Sequence, residues 1–142
     1  MVSLDRMPRD VRLSAMDLLD TQLHSLIGDD GFTRLVAAFY RQVPGDDVLG
    51  LLYNHRDLAG AEERLRTFLI MRFGGPQHYL ERRGHPRLRM RHAPFPVTQA
   101  ARDRWIELME TALAETKLPA QAESMLRKFF RDSGTFLINR RE

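Results

Sequence analysis

The sequence predicts an all-α protein, and three observations lead to that prediction. Apolar residues recur at helical spacing in several separate stretches of the chain. No stretch shows the sustained alternation of apolar and polar residues that is typical of a half-buried strand. Clusters of glycine and proline separate the helical stretches from one another. With 142 residues, the chain has the size of one domain.

The N-terminal region is predicted to begin with a flexible extension over residues 1–13, because that stretch has no periodicity. The single domain then covers residues 14–142. Ser14 followed three residues later by Asp17 resembles a helix start. The apolar residues that follow indicate a short first helix that ends near Gly28.

The second helix has the most regular apolar pattern in the chain. It follows a candidate cap at Asp29 or Asp30 and ends at Pro44. Its apolar residues fall at i, i+3, i+4, i+7, i+8 and i+11, and they are Phe32, Leu35, Val36, Phe39, Tyr40 and Val43. Asp46 then opens a short helical segment that contains Val48, Leu49, Leu52 and Tyr53.

The next apolar face predicts a third helix, which Gly74-Gly75-Pro76 ends. That face consists of Leu58, Ala61, Leu65, Phe68 and Leu69. Residues 77–96 form an arginine-rich stretch with several prolines, predicted to be a brief helical turn over 79–83 and otherwise loop. A loop of this length inside a compact domain is more often functional than not.

Two further helices complete the prediction. Thr98 can cap the first of them, and Pro119 starts the second. The apolar face of the first reads Ala101, Trp105, Leu108, Met109, Ala112 and Leu113. The second is expected to turn inward Ala122, Met125, Leu126, Phe129, Phe136 and Leu137.

Composition narrows the possible functions. The absence of cysteine excludes disulfides, iron–sulfur clusters and thiolate ligation of a metal. No apolar stretch is long enough for a signal peptide or a membrane span, so we expect a cytoplasmic protein without a membrane partner. The formal charge is +3 and nearly all the positive charge is arginine, which permits but does not require acidic ligands.

The histidines and three aromatic residues leave two interpretations open. His24, His55, His78, His85 and His92 form no HExxH or similar metal motif. Spacing alone would place a histidine in an arginine-rich loop at the surface. Tyr40, Tyr53 and Trp105 on apolar faces are most simply core residues, yet their hydroxyl and N–H groups would form a polar site if they converged.

A specific resemblance goes further than spacing. The run from Gly84 to Phe95, GHPRLRMRHAPF, resembles the group II truncated haemoglobins, as do the preceding LAGAEERLR at residues 58–66 and GGP at 74–76. The similarity runs continuously over about residues 32–113. It implies a truncated two-over-two globin fold around haem b, in which the irregular segment carries the proximal ligand.

The resemblance also implies roles for particular residues. His92 would be the metal ligand, with its second ring N–H held by a backbone carbonyl of the preceding residues. The distal ligand-binding residues would be Tyr40, Tyr53, Ala61, Leu65 and Trp105. The cofactor-binding residues would be Arg64, Leu65, Phe68, Tyr79, His85, Arg89, Arg91 and His92, with the arginines as partners of the haem propionates.

The implied function is reversible binding of O2, and of NO or CO, at ferrous haem b. NO dioxygenation or peroxide reduction would require a separate reductase, because the chain has no flavin or nicotinamide motif, and whether the protein is an enzyme stays open. The sequence departs from the family at Leu23, Ile27 and Arg72, and a homodimer is compatible with the resemblance.

The alternative hypothesis is a helical nucleic-acid-binding module, which rests on charge alone. Its phosphate-contacting loop would use Arg82, Arg83, Arg87, Arg89 and Arg91. No helix-turn-helix pattern supports it, and acidic residues interrupt a continuous basic face, so the preferred expectation includes no nucleic-acid partner.

Overall fold

The computed structural model describes residues 20–141, and within that range the regular structure is entirely helical. The prediction of an all-α protein is confirmed. The helices are α1 (Leu23–Gln42), α2 (Leu58–Arg72), α3 (His78–Arg83), α4 (Leu88–His92), α5 (Gln99–Thr116) and α6 (Ala120–Leu137), with a 3-10 turn at Leu49–Leu51. None of these helices is long and apolar enough to span a bilayer. The predicted extension over 1–13 and the helix start at Ser14 lie outside the described residues.

The helix boundary predicted near Gly28 is a kink inside α1. Gly28 has φ 67° and ψ 177°, a conformation that is essentially restricted to glycine, and helical geometry resumes after it. Beyond the kink, all six residues of the predicted apolar stripe are buried. The stripe faces two neighbours at once, because α1 packs against both α2 and α5.

The remaining helices complete a layered core around α1. α6 packs mainly on α5, while α3 follows α2 closely and packs on it. The short α4 rests on α6. The segment that was expected to be largely loop is thus held between α2 and α6.

Two predictions are wrong, one about the segment before α5 and one about α6. The stretch after residue 84 is not simply loop, since it contains α4, whose single turn is too short to produce an apolar period. Phe136 does not point inward but is 58% exposed, and Phe130 is buried instead. The buried stripe of α6 advances by four residues from Ala122 to Leu126 to Phe130, and at 100° per residue Phe136 lies to one side of it.

The cap predicted at Thr98 is present, and Asp46 caps the short segment that it was expected to open. The candidate caps Asp29 and Asp30 contact His24 and Arg34 instead. The Thr98 hydroxyl accepts the Ala101 amide at 3.1 Å. The Asp46 carboxylate accepts the amides of Val48 at 3.0 Å and Leu49 at 2.7 Å. Arg104 of α5 donates to the same carboxylate at 2.8 Å, so Asp46 ties the segment that leads to Tyr53 onto α5.

We expect Asp46→Ala to lower the free energy of unfolding by about 1–3 kcal/mol, because it removes a cap and a charge-assisted hydrogen bond. Burial opposes ionisation of Asp46, but the Leu49 amide, Arg104 and the Val48 amide together lower its pKa. The stabilisation is therefore present above the unfolded pKa of about 4 and is lost as the pH falls through the lower folded pKa.

Urea denaturation at pH 7, monitored by circular dichroism, measures the effect of Asp46→Ala on stability. Asp47→Ala is the matched control, since Asp47 also contacts Arg104 at 2.7 Å but is exposed and caps no amide in the described chain. The control should change stability by no more than about 0.5 kcal/mol. Equal losses in the two variants would show that Asp46 contributes no more than a surface ion pair.

Candidate functional site

His92, the last residue of α4, has a ring whose tautomer is set by one backbone contact. Its Nδ1 lies 2.7 Å from the carbonyl oxygen of Leu88, one turn earlier. Because a carbonyl only accepts, Nδ1 carries a hydrogen, and in the neutral ring Nε2 then keeps its lone pair. Within residues 20–141 Nε2 makes no hydrogen bond. The half-buried ring therefore presents one unprotonated nitrogen in a fixed orientation, as a metal-ligating histidine does.

The other four histidines have different surroundings. His24 contacts the exposed Asp29 at 2.6 Å, and His55 contacts the carbonyl oxygen of Gly50. His78 lies near Glu81, and Nδ1 of His85 accepts the Arg87 amide at 3.1 Å. Of these four, all but His24 are exposed. His92 is the histidine whose setting best fits the predicted ligand.

Three distant parts of the chain bring Tyr40, Tyr53 and Trp105 together. Tyr40 comes from α1, Tyr53 from the segment after the 3-10 turn and Trp105 from α5. The phenol rings of Tyr40 and Tyr53 meet edge to face with centroids 5.7 Å apart. The Tyr53 hydroxyl lies near the polar groups of Trp105 and Tyr40, and both lower its pKa.

The polar contacts in this cluster have a preferred direction. An indole N–H can only donate, so Trp105 can act only as a donor towards the Tyr53 oxygen. Burial first, and then the contact with Tyr53, raise the pKa of Tyr40. Burial also raises the pKa of Tyr53, while its contacts with Trp105 and Tyr40 lower it, as expected if both donate to its oxygen. The Tyr53 hydroxyl hydrogen is then available to another acceptor.

Apolar rings hold the indole of Trp105 in place. Phe39 lies 5.0 Å from it and Phe130 5.3 Å from it, measured between ring centroids. Neither residue was predicted to belong to the site. Phe39 belonged to the α1 stripe, but nothing in the α6 pattern pointed to Phe130 as a neighbour of Trp105.

Three of the predicted site residues lie on one face of α2. Ala61 and Leu65, one turn apart on the same face, are half-buried against the core. Phe68, one turn further, is buried and meets the Tyr79 ring at 5.6 Å. The structure therefore continues the α2 face towards α3, where Tyr79 lies.

The predicted propionate partners do not converge on one point. Arg64 contacts Asp57 at 3.2 Å. Arg91 donates to the carbonyls of Arg83 at 2.7 Å and His85 at 3.2 Å. The guanidinium of Arg91 also stacks over the Tyr79 ring, 5.7 Å from its centroid. In this arrangement Arg91 braces the connection between α3 and α4.

The remaining two cofactor-binding candidates, His85 and Arg89, lie elsewhere. Both line an open groove of about 380 Å³ whose apolar walls include Phe68 and Phe136. The Arg89 guanidinium lies 5.4 Å from the Phe136 ring centroid. Phe68 is shared between this groove and the α2 face, so the groove adjoins the region of the other predicted cofactor contacts.

The arginines that the nucleic-acid hypothesis relies on are largely engaged within the chain. Arg82 and Arg83 both pair with Glu63 of α2, at 3.2 and 3.5 Å. Arg89 and Arg91 make the contacts described above. These arginines stabilise the segment between α2 and α5 rather than forming a row of free cations.

Asn139, which follows α6, was also not predicted to lie near the site. Its side-chain amide donates to the His92 carbonyl at 3.0 Å. No motif or periodicity marks a single asparagine after the last helix, so only the folded chain shows its position beside His92.

Comparison with known proteins agrees with the helical fold. The bacterial-like globin family matches residues 22–135. A group 2 truncated hemoglobin of Lotus japonicus is 34% identical over 128 residues, which are 88% of this chain and 76% of that protein. The crystal structure of a hemoglobin from Chloroflexus aurantiacus is 44% identical, with a TM-score of 0.80 over 83% of this chain and 98% of that one.

A second crystal structure supports the subgroup. The group II truncated hemoglobin of Bacillus anthracis is 27% identical and has a TM-score of 0.81, over 86% of this chain and 93% of that one. The resemblance found in the Gly84–Phe95 run is therefore confirmed by the whole fold. This chain belongs to the bacterial-like globin family and, within it, to the group II truncated haemoglobins.

Proposed function

We propose that the protein binds O2 reversibly at ferrous haem b, with His92 as the proximal ligand and Tyr53 as the principal distal donor. The observation that carries the proposal is the ring of His92, with Nδ1–H on the Leu88 carbonyl and a free lone pair on Nε2. A haem cofactor follows from membership of the globin family. Haem b would supply an iron centre that binds a diatomic gas, and His92 would hold that iron.

The residues present fit that cofactor. A neutral histidine with a fixed tautomer is the ligand type that globins use. Tyr40, Tyr53 and Trp105 offer polar hydrogens amid apolar side chains, where a hydrogen bond to a small ligand is stronger than in water. Ala61, which the resemblance assigns to the same site, has a small side chain that would leave room for a ligand.

The distal residues divide their work. Trp105 and Tyr40 donate to the Tyr53 oxygen and orient its phenol. The Tyr53 hydroxyl can then donate a hydrogen bond to O2. Burial raises the pKa of both tyrosines, so both hydroxyls keep their hydrogens at neutral pH. Phe39 and Phe130 keep the indole from turning away.

Binding rather than turnover is the proposed primary activity. NO and CO are diatomic molecules of about the size of O2 and would enter the same site. NO dioxygenation or peroxide reduction consumes electrons, and the chain has no flavin or nicotinamide motif to deliver them. A separate reductase would therefore have to dock, and the rate of any such reaction would depend on its concentration.

Absorption spectra of the purified protein test the proposal. The reduced protein should take up one haem b per chain and give a spectrum that changes reversibly between the oxygenated and deoxygenated forms. Tyr53→Phe should then release O2 about 10–100-fold faster, because it removes a hydrogen bond in a low-dielectric site. Stopped-flow replacement of O2 by CO measures that rate.

Tyr40→Phe serves as the comparison variant, since it removes a supporting donor and leaves the Tyr53 hydroxyl in place. Its O2 dissociation should accelerate less than that of Tyr53→Phe. A protein that takes up no haem would overturn the proposed function. Equal dissociation rates in wild type and Tyr53→Phe would overturn the role given to Tyr53.

A further inference from the structure

The chain beyond α6 folds back onto the connection that follows His92. The Asn139 side-chain amide donates to the carbonyls of His92 and Phe95, both at 3.0 Å. Its side-chain oxygen accepts the Val97 amide at 2.9 Å. The backbone N–H of Asn139 donates to the Val97 carbonyl, also at 2.9 Å. One asparagine thus engages three residues of the six-residue stretch from His92 to Val97.

Arg140 adds to the same contact. Its backbone amide donates to the Val97 carbonyl at 3.2 Å, and its guanidinium reaches the Ala93 carbonyl at 3.4 Å. The side-chain contacts of Asn139 satisfy both amide hydrogens and the amide oxygen at once. Such complete pairing fixes the side chain and the segment that it holds.

The position of His92 depends on support of this kind. α4 has five residues, so it is a single turn that would be marginal without tertiary contacts. His92 is its last residue, where the helix leaves carbonyls without helical partners. The Leu88 carbonyl orients the ring from within the turn, and Asn139 holds the backbone of His92 from outside it.

We propose that Asn139 is a positioning residue for the proximal ligand. By holding the His92 carbonyl and the following loop, it fixes the height and tilt of the imidazole relative to the haem, and so sets the strength of the iron–histidine bond and the retention of haem. This inference rests on the proposed function, because it takes His92 as the ligand. It assigns a role in the haem site to a residue outside the globin helices.

The test uses the full-length haem-loaded protein and two substitutions at this position. Asn139→Ala removes all three side-chain hydrogen bonds. Asn139→Asp keeps the shape and the acceptor for Val97, but it replaces the donor by an oxygen facing two carbonyls. Thr135→Ala, in the last turn of α6, is the control, because the exposed Thr135 hydroxyl donates only to the Arg131 carbonyl within the described chain.

The first readout is the iron–histidine stretching band in the resonance Raman spectrum of the deoxygenated ferrous protein. Both Asn139 variants should shift this band to lower frequency and broaden it, whereas Thr135→Ala should not. The second readout is transfer of haem to excess apomyoglobin, which should be about tenfold faster in both variants, as the loss of one or two net hydrogen bonds implies. Asn139→Asp, with its repulsive oxygen, should show at least the effect of Asn139→Ala.

The outcomes separate this inference from the proposed function. A band and a transfer rate that match wild type in both variants, with His92 still bound, would overturn the role of Asn139 and leave the haem site intact. A variant that is less stable to urea but keeps the wild-type band would show a structural contribution only, which also overturns it. If wild type itself has no iron–histidine band, the proposed function fails first.

Discussion

His92→Gly is expected to release haem on the order of 100-fold faster than wild type, or more, since loss of groups that merely support a ligand already costs 10–100-fold in metal sites. The substitution removes the nitrogen with the free lone pair and leaves a space of the same shape at the end of α4. Added imidazole should occupy that space and restore most of the wild-type Soret spectrum.

Absorbance in the Soret region, with and without imidazole, measures this effect. His78→Ala is the matched control, because it removes a histidine that is exposed and paired only with Glu81 within residues 20–141. Its spectrum and haem loss should match wild type. A His92→Gly protein with an unchanged spectrum in the absence of imidazole would rule out His92 as the ligand.

Gly74→Ala is expected to lower the free energy of unfolding by at least about 3 kcal/mol. Gly74 has φ 97°, which side chains rarely adopt, and a Cβ there would lie 1.7 Å from the Thr21 carbonyl oxygen. The backbone of the chain leading into α1 would have to move. The turn that ends α2 and leads to α3 would move with it.

Gly28→Ala separates the two causes of this loss. Gly28 also has a positive φ, 67°, but a Cβ there would meet nothing within 4 Å. It carries the conformational cost of about 1–3 kcal/mol without the collision. Chemical denaturation of both variants at pH 7 should place Gly74→Ala clearly above Gly28→Ala, and equal losses would mean that the close approach to Thr21 is relieved at no cost.

Much of the fold could be predicted because burial on one side imposes a period on a helix. The stripe of α1 is the clearest case, since each of its residues is buried as predicted. The same logic fails for α4, because one turn contains too few residues to repeat. It also fails at the end of α6, where Phe136 is apolar but lies to one side of the buried stripe.

The site was less accessible to sequence reasoning than the fold. Nothing in the spacing of His92 distinguishes it from a surface histidine, and the family resemblance alone singled it out. Its tautomer depends on a carbonyl in its own turn, which the motif does contain. Asn139 lies 47 residues away in sequence, and contacts over such separations leave no local pattern.

The bridge from Arg104 to Asp46 also links two parts of the aromatic cluster formed by Tyr40, Tyr53 and Trp105. Arg104 precedes Trp105 in α5, and through Asp46 it holds the segment that carries Tyr53. A small slide of α5 along its axis would carry the indole and the anchor of that segment in the same direction. We therefore expect the contact between Trp105 and Tyr53 to keep its geometry when α5 shifts.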